Sequence, residues 1–551
     1  MPETKEWTLM FFFASDNALA PGIVSQLKSI KQAGFHKDVN VIARFDPRVE
    51  NTQAHTFDVN IVDKIKSTKE WKIGFSTEDF SKVGDSSVPS LVTDKLWEEP
   101  ENTDLIRKSL GELGPKYRPE KPSDFEEHGK SRNGDRPQEP RPQVALAKLL
   151  KFCRKKYPAR HYMLFLLGHG LIVGNDMFLF DEHADHSSLS LSGLGDLLSE
   201  FKGKLPKDQH FEVVSFHSCS MSALEVAYEL KDTANYMLAS QGPAFVGSWP
   251  YRQILMRVFH DLVNGEKNLE VTLTSIFQEC LDNSRDFQLA GYSFDLCLCD
   301  LKKVKKMRVS LSKLAAALSD GLKNPATQEK ILLAHWDAQS YWQESYTDLR
   351  DLCIRLTERC TDLPDEGAAI REACQYVTDR LDEAVIKSAF AGPAYQYSHG
   401  LSVFYPWSMP ENAKFWPTEY RNYKLNKEAK EDSWESFLTN YFDRTRRFPR
   451  GAEIVPKAME AKEQAPTIPK LDDDLLETLG RRGFSLDAQL AIVKGDPEDR
   501  TDSPISIKGG PEDPTGGDSS GPSIKNYPPF TRGLPPAEKR KGKSASRGSY
   551  S

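Results

Sequence analysis

Two residues whose chemistry could be combined, Cys219 and His169, each stand just beyond an apolar run. Cys219 follows 211-FEVVSF-216, whose β-branched and aromatic residues suit a buried strand. Met221, Leu224, Ala227 and Tyr228 recur at roughly helical spacing, so a helix is predicted next, with Ser220 or Ser222 as its cap. A thiol at such a corner meets free N–H groups and partial positive charge, which lower its pKa and make it a nucleophile. The competing reading is a small buried hydrophobe, the common state of a free cysteine. A nucleophilic thiol needs a base. Tyr162–Leu167 is a second buried run, closed by Gly168-His169-Gly170. Its glycines permit unusual backbone angles and leave room beside the imidazole. His161 precedes that run and belongs at the opposite sheet edge. His217 lies two residues before Cys219 on one strand, so both side chains take the same side of the sheet.

Between His169 and Cys219 the chain reads as a short strand, a turn and a helix over about 192–201. A crossover of that kind lets two strands run parallel with both C-terminal ends at one edge, where sites form in open parallel sheets. The His-then-Cys order is that of caspases, without the caspase signature around the cysteine. The chemistry to expect is acyl transfer: thiolate attack on a carbonyl, with the imidazole moving the proton.

The sequence resembles the clostripain-like cysteine peptidases, which share the caspase–hemoglobinase fold. The resemblance spans most of residues 7–447 through 7-WTLMFFFASDNAL-19, 161-HYMLFLLGHG-170, 181-DEHADHSSLSLSGL-194, 215-SFHSCSMSALEVAYEL-230, 238-LASQGPAFVGSWPY-251 and 400-GLSVFYPW-407. It implies that His169 is the catalytic histidine and Cys219 the nucleophile. It implies an oxyanion hole from the N–H groups of Gly170 and Cys219, and a dyad with no third member. Members that cut after Arg or Lys carry an acid two residues before the nucleophile and a second just before Gly-Trp-Pro-Tyr. Those positions are His217 and Gly247 here. A basic P1 side chain would enter without a charge partner, at a cost of several kcal/mol in a dry pocket. His217, Gly247, Ser248 and Trp249 are therefore the expected substrate-binding residues, with neutral or acidic P1 preferred. Calcium enters only through the resemblance, since some members use it; no cofactor is required by the residues themselves.

The expected fold class is α/β, caspase–hemoglobinase-like, with a largely parallel sheet flanked by helices. The catalytic core is expected over residues 1–251, opening on strand Trp7–Phe13 and helix Pro21–Ala33 with Ile23, Leu27 and Ile30 on one face. Val39–Phe45 and His55–Val62 read as further strands, and Val144–Tyr157 as the helix leading into the His169 strand. Residues 114–142, rich in Pro and charge, read as an exposed insertion. Residues 252–447 read as a mainly helical accessory region, interrupted by strand-like 291-GYSFDLCLCDL-301. Residues 448–551 turn to Pro, Gly, Ser and charge, and 493-VKGDPEDRTDSP-504 is echoed by 507-IKGGPEDPTGGD-518. This reads as a disordered arm.

A net charge of −7 argues against general nucleic-acid binding. No run is long and apolar enough to span a membrane, and the first residues carry no apolar signal segment. Eight scattered cysteines are no disulfide framework, which favours a reducing cytoplasm. Cys297 and Cys299 share a strand face but lack further ligands, so core packing is expected rather than a metal site. Asp181, Glu182, His183, Asp185 and His186 form an acidic turn without the spacing of a calcium loop. The reading is thus a cysteine endopeptidase acting on protein or peptide substrates, in a regulatory or defence setting. The alternative is a catalytically silent caspase-like interaction module whose tail binds a protein partner.

Overall fold

The computed structural model describes residues 3–14, 19, 23, 26–27, 29–30, 33–34, 36–45, 55–58, 118–119, 142–170, 178–179, 188–284, 292–341, 345–363, 365–410 and 415–445. The rest of the 114–142 insertion, the acidic turn at 181–186 and the 448–551 arm lie outside the described residues.

A nine-stranded sheet organises the chain. Its strands are β1 (Lys5–Phe13), β2 (Val39–Phe45), β3 (His55–Asp58), β4 (Arg118–Pro119), β5 (Ala159–Leu167), β6 (His210–His217), β7 (Tyr236–Ala239), β8 (Phe294–Asp300) and β11 (Val385–Ala391). The order is β11-β8-β7-β6-β5-β1-β2-β3-β4. The central five, from β2 to β7, pair in parallel, and antiparallel strands close both sides. A second sheet is small and antiparallel, from β9 (Ser340–Tyr341), β10 (Tyr346–Asp348) and β12 (Ser402–Phe404).

The two-residue period of the strands assigns side chains to two cores. In β1, Met10 and Phe12 face one core, while Trp7, Leu9, Phe11 and Phe13 face the other. Helices α1 (Pro142–Lys156), α2 (Leu191–Gly203) and α3 (Leu224–Glu229) cover the first face. The second is covered by Ile23, Leu27 and Ile30 and by α4 (Tyr251–Val263) and α5 (Leu269–Asn283). Burial on both sides explains why the central strands read as continuous apolar runs.

Residues 252–447 are mainly helical but are not confined to a layer beside the sheet. Strands β8 and β11 extend the sheet itself. Helices α6 (Met307–Gly321), α7 (Pro325–Asp337), α8 (Leu349–Arg359), α9 (Asp365–Ala384) and α10 (Trp434–Thr445) contribute to the same core as α1 to α3. β8 looked like a break in a helical region because strand pairing partners are remote in sequence.

Glu225 shows how tightly the two parts are joined. It sits in the first turn of α3 and is fully buried. Its Oε1 accepts from the Phe404 N–H at 2.9 Å and the Tyr420 hydroxyl at 2.7 Å. Burial raises its pKa against the pull of those two donors. A carboxyl with a raised folded pKa contributes stability below the ordinary glutamate range and loses it as pH rises through the raised value. Glu225→Gln keeps an acceptor and cannot ionise, so it is expected to match or exceed wild type in urea unfolding at pH 8, with a gap that widens as pH rises. Glu225→Ala leaves two buried donors unpaired and is expected to lose about 2–3 kcal/mol.

Candidate active site

Parallel pairing of β5 with β6 places Leu167 beside His217. Two residues beyond each partner stand His169 and Cys219, at the same edge of the sheet. Their backbones meet closely. A Cβ built on Gly170 would lie 1.8 Å from the Cys219 carbonyl oxygen and 2.7 Å from the Cys219 nitrogen. Only glycine fits there, and the Gly170 and Cys219 main chains are neighbours. Gly168 anchors the same corner, its N–H facing the His217 carbonyl oxygen at 3.5 Å. The His169 side chain is half-buried.

Cys219 is 5% exposed. A strap formed by residues 240–249 lies against it, and the Ala244 N–H donates to Sγ at 3.3 Å. The Ser220 N–H donates to Gly242 O at 3.1 Å, and the Ser222 N–H to Ser240 O at 2.8 Å. The loop carrying Cys219 and the strap are therefore held together by three hydrogen bonds. Burial pushes the thiol pKa up to about 11, although the Ala244 backbone pulls the other way and Asp295 adds to the rise. The expected lowering by a helix N-terminus does not occur. Helix α3 begins only at Leu224, and its cap is Ala223 without a side-chain bond, not Ser220 or Ser222. Ser222 Oγ is directed instead to the Gly400 carbonyl at 2.5 Å. Ser220 holds a left-handed backbone, φ 55°. That conformation turns the chain sharply out of the strand instead of into a helix.

The expected substrate-binding residues are brought together, but inward. His217 is 2% exposed and stacks on Trp249 with ring centroids 4.5 Å apart. Its Nδ1 lies 2.9 Å from the Tyr251 hydroxyl, and its Nε2 contacts the Phe245 carbonyl. A carbonyl only accepts, so Nε2 carries the proton and Nδ1 accepts from Tyr251. Trp249 is fully buried and donates from Nε1 to Ser215 Oγ at 3.0 Å. The Ser248 hydroxyl bridges the Phe245 N–H and carbonyl at 2.7 and 2.6 Å. The Gly247 carbonyl accepts from Asn283 at 2.6 Å. The strap is thus pinned into the sheet edge by the residues expected to receive a substrate. Burial drives the His217 pKa down to about 3, overriding the Phe245 bond. Burial thus favours the neutral ring near neutral pH.

Sequence reading missed Asp295. It is a buried carboxylate on β8 that accepts from the Gln241 and Gly242 N–H groups at 2.8 and 2.7 Å. Its one local signal was an acid inside the apolar run 294-FDLCLC-299. Cys297 and Cys299 are buried in the core, and none of the eight cysteines is in a disulfide. Among the described residues no group of three or more His, Cys, Asp or Glu side chains could hold a metal ion. Among them, too, no helix is long and apolar enough to cross a membrane.

A model of the clostripain family, Peptidase C11, matches residues 133–441, more than half of the sequence. The chain belongs to the clostripain family. Clostripain of Hathewaya histolytica is 25% identical over 319 residues, covering 51% of this chain and 59% of that protein. This chain therefore aligns with less than two thirds of that relative. An inactive zymogen C11 protease from Parabacteroides distasonis aligns in three dimensions over 78% of this chain and 99% of its own, at 16% identity and a TM-score of 0.48. A secreted C11 cysteine protease from Bacteroides thetaiotaomicron, solved with an irreversible peptide inhibitor, aligns over 77% and 99%, at 13% identity and a TM-score of 0.48.

The corner around Cys219 has an acid-sensitive support. An unfolded histidine protonates near its ordinary pKa of 6.5, whereas His217 stays neutral to about 3. Its contribution to stability is complete above 6.5 and is lost as pH falls toward 3, at about 1.4 kcal/mol per pH unit. Urea unfolding of wild type and His217→Gln at pH 7 and pH 5 should show the variant with the shallower decline.

Proposed function

We propose that this clostripain-family chain is a cysteine endopeptidase that hydrolyses peptide bonds with Cys219 as nucleophile and His169 as proton carrier. The packing of Gly170 on the Cys219 backbone carries this reading. It brings a histidine-bearing strand end against a cysteine-bearing one, with the Gly170 and Cys219 main chains adjacent. A thiol held neutral by burial must lose its proton as it attacks, so His169 acts as general base in the first step. Sulfur adds to the carbonyl carbon, and the oxyanion accepts from the N–H groups of Gly170 and Cys219. The C–N bond then breaks as His169 returns the proton to the leaving amine, leaving a thioester. Water, deprotonated by His169, cleaves the thioester and frees the thiol. No metal or cofactor is needed for these steps.

Further parts of the reading concern specificity and setting. His217 and Gly247 supply no carboxylate for a basic side chain, and Phe245, Val246 and Trp249 beside them are apolar and buried. A P1 residue without positive charge is therefore favoured over Arg or Lys, once the strap has moved to admit it. Eight cysteines outside any disulfide suit a reducing, cytoplasmic setting.

Cys219→Ala and His169→Ala are each expected to abolish peptide hydrolysis and leave urea unfolding nearly unchanged, and the double variant should be no worse than either. Full turnover by Cys219→Ala would remove the nucleophile assignment. Labelling by a thiol-reactive peptide probe, lost in Cys219→Ala, separates an enzyme from a silent interaction module. In a P1 library, Arg and Lys should be poor at both pH 6 and pH 8. Since His217 stays neutral, acidic P1 residues should gain nothing at the lower pH; a gain there would mean that another group titrates in the pocket.

A further inference from the structure

The strap that meets the thiol is itself held from behind. Gln241 and Gly242 donate both their N–H groups to the two oxygens of Asp295. The Gly242 carbonyl, between those bonds and the thiol, accepts from the Ser220 N–H. Two residues on, Ala244 donates to Sγ. Space behind the turn is filled: a Cβ on Gly242 would lie 2.9 Å from Asp295 Oδ1 and 2.8 Å from the Tyr395 ring. The Gln241 side chain ties the same turn to the helical part of the chain. Its Nε2 donates to Asp348 at 3.0 Å, and its Oε1 accepts from the Gly400 N–H at 2.9 Å. We propose that Asp295 is the positioning residue of this site: its carboxylate fixes the Gln241–Gly242 turn, and through it the Ala244 N–H on the thiol and the backbone of Ser220. This rests on the cysteine-peptidase reading for its consequence in turnover, but not for its consequence at the thiol.

Asp295 lies on β8 at the edge where β5 and β6 end, because β8 runs antiparallel to β7 and starts there. The ionisable groups that act on it or are acted on by it are Asp348, Cys219, Cys297, Tyr341 and Tyr395. None is a cation, so its only strong partners among these contacts are the two N–H donors. Burial raises its pKa to about 7 in spite of them. A carboxamide there would offer one acceptor and turn an N–H₂ toward the second N–H donor.

The test uses the full chain and iodoacetamide, with peptide mapping to read Cys219 alone and Cys219→Ala as the blank. Asp295→Asn should release the turn. Cys219 labelling at pH 8 should rise about tenfold, the loss of one charge-assisted hydrogen bond read as local opening. Its apparent pKa should fall from the raised position toward the ordinary thiol range, as burial is relieved. With a cleavable peptide, kcat should drop by up to about a hundredfold while KM changes little, as expected of a misplaced reacting group. Gly242→Ala, which pushes the turn off the same carboxylate, should reproduce the labelling effect and serves if Asp295→Asn does not fold. Variants that fold with wild-type labelling rate and pH profile overturn the proposal, even if their melting temperature falls. If labelling changes as expected but no form of the protein hydrolyses peptides, the positioning role stands and the peptidase reading fails. If wild type hydrolyses peptides but labelling is unchanged in both variants, the positioning role fails and the peptidase reading stands.

Discussion

The close approach of Gly170 to the main chain of Cys219 is the constraint on which the site depends. A side chain at position 170 would overlap the Cys219 carbonyl, so the contact exists only because that residue is glycine. It also requires β5 and β6 to be parallel, adjacent and in one register, since a slip of one residue would turn every side chain to the other face. The two cores on either side of the sheet hold that register. Phe165 stacks on Phe11 with centroids 4.7 Å apart, and Tyr251 meets both rings edge-on. The aromatic packing that stabilises the sheet also fixes where the strand ends arrive.

Around that contact the dominant electrostatic force is desolvation. Cys219, His217 and Asp295 are all buried, and in each case burial is the largest influence on the pKa. Each shifts toward its neutral form, as expected when water is excluded. The buried groups are not idle. His217 bridges Tyr251 and Phe245, and Asp295 clamps two backbone N–H groups. Buried polar groups with satisfied partners rigidify their surroundings, whereas partly satisfied ones are costly. The result is a strap held over a protonated thiol from both ends.

That arrangement ties the geometry around Cys219 to parts of the chain far from it. Gln241 bonds Asp348, which also accepts from the His399 N–H at 2.6 Å and lies 3.2 Å from its Nδ1. Burial pulls the His399 pKa down, but the Asp348 carboxylate outweighs it and the net shift is upward. Glu225 makes a second tie, joining α3 to Phe404 and Tyr420. The helical region is thus continuous with the site through hydrogen bonds as well as through a shared core.

The sequence by itself determined the local elements and the two corners. Apolar runs announced β1, β2, β5 and β6, and helical spacing announced α1 and α2, because both periods are written in consecutive residues. The Gly168-His169-Gly170 turn and Cys219 at a strand end were equally legible. Only the tertiary structure decided that α3 starts too late to serve the thiol, that the thiol pKa rises, and that His217 faces inward as a neutral support. It alone put β8 and β11 in the sheet and Asp295 behind the strap. The reason is the same in each case. Solvent exclusion and the pairing of groups such as Asp295 with Gly242, or Gln241 with Gly400, depend on which remote segments pack together, and no local period in the chain encodes that.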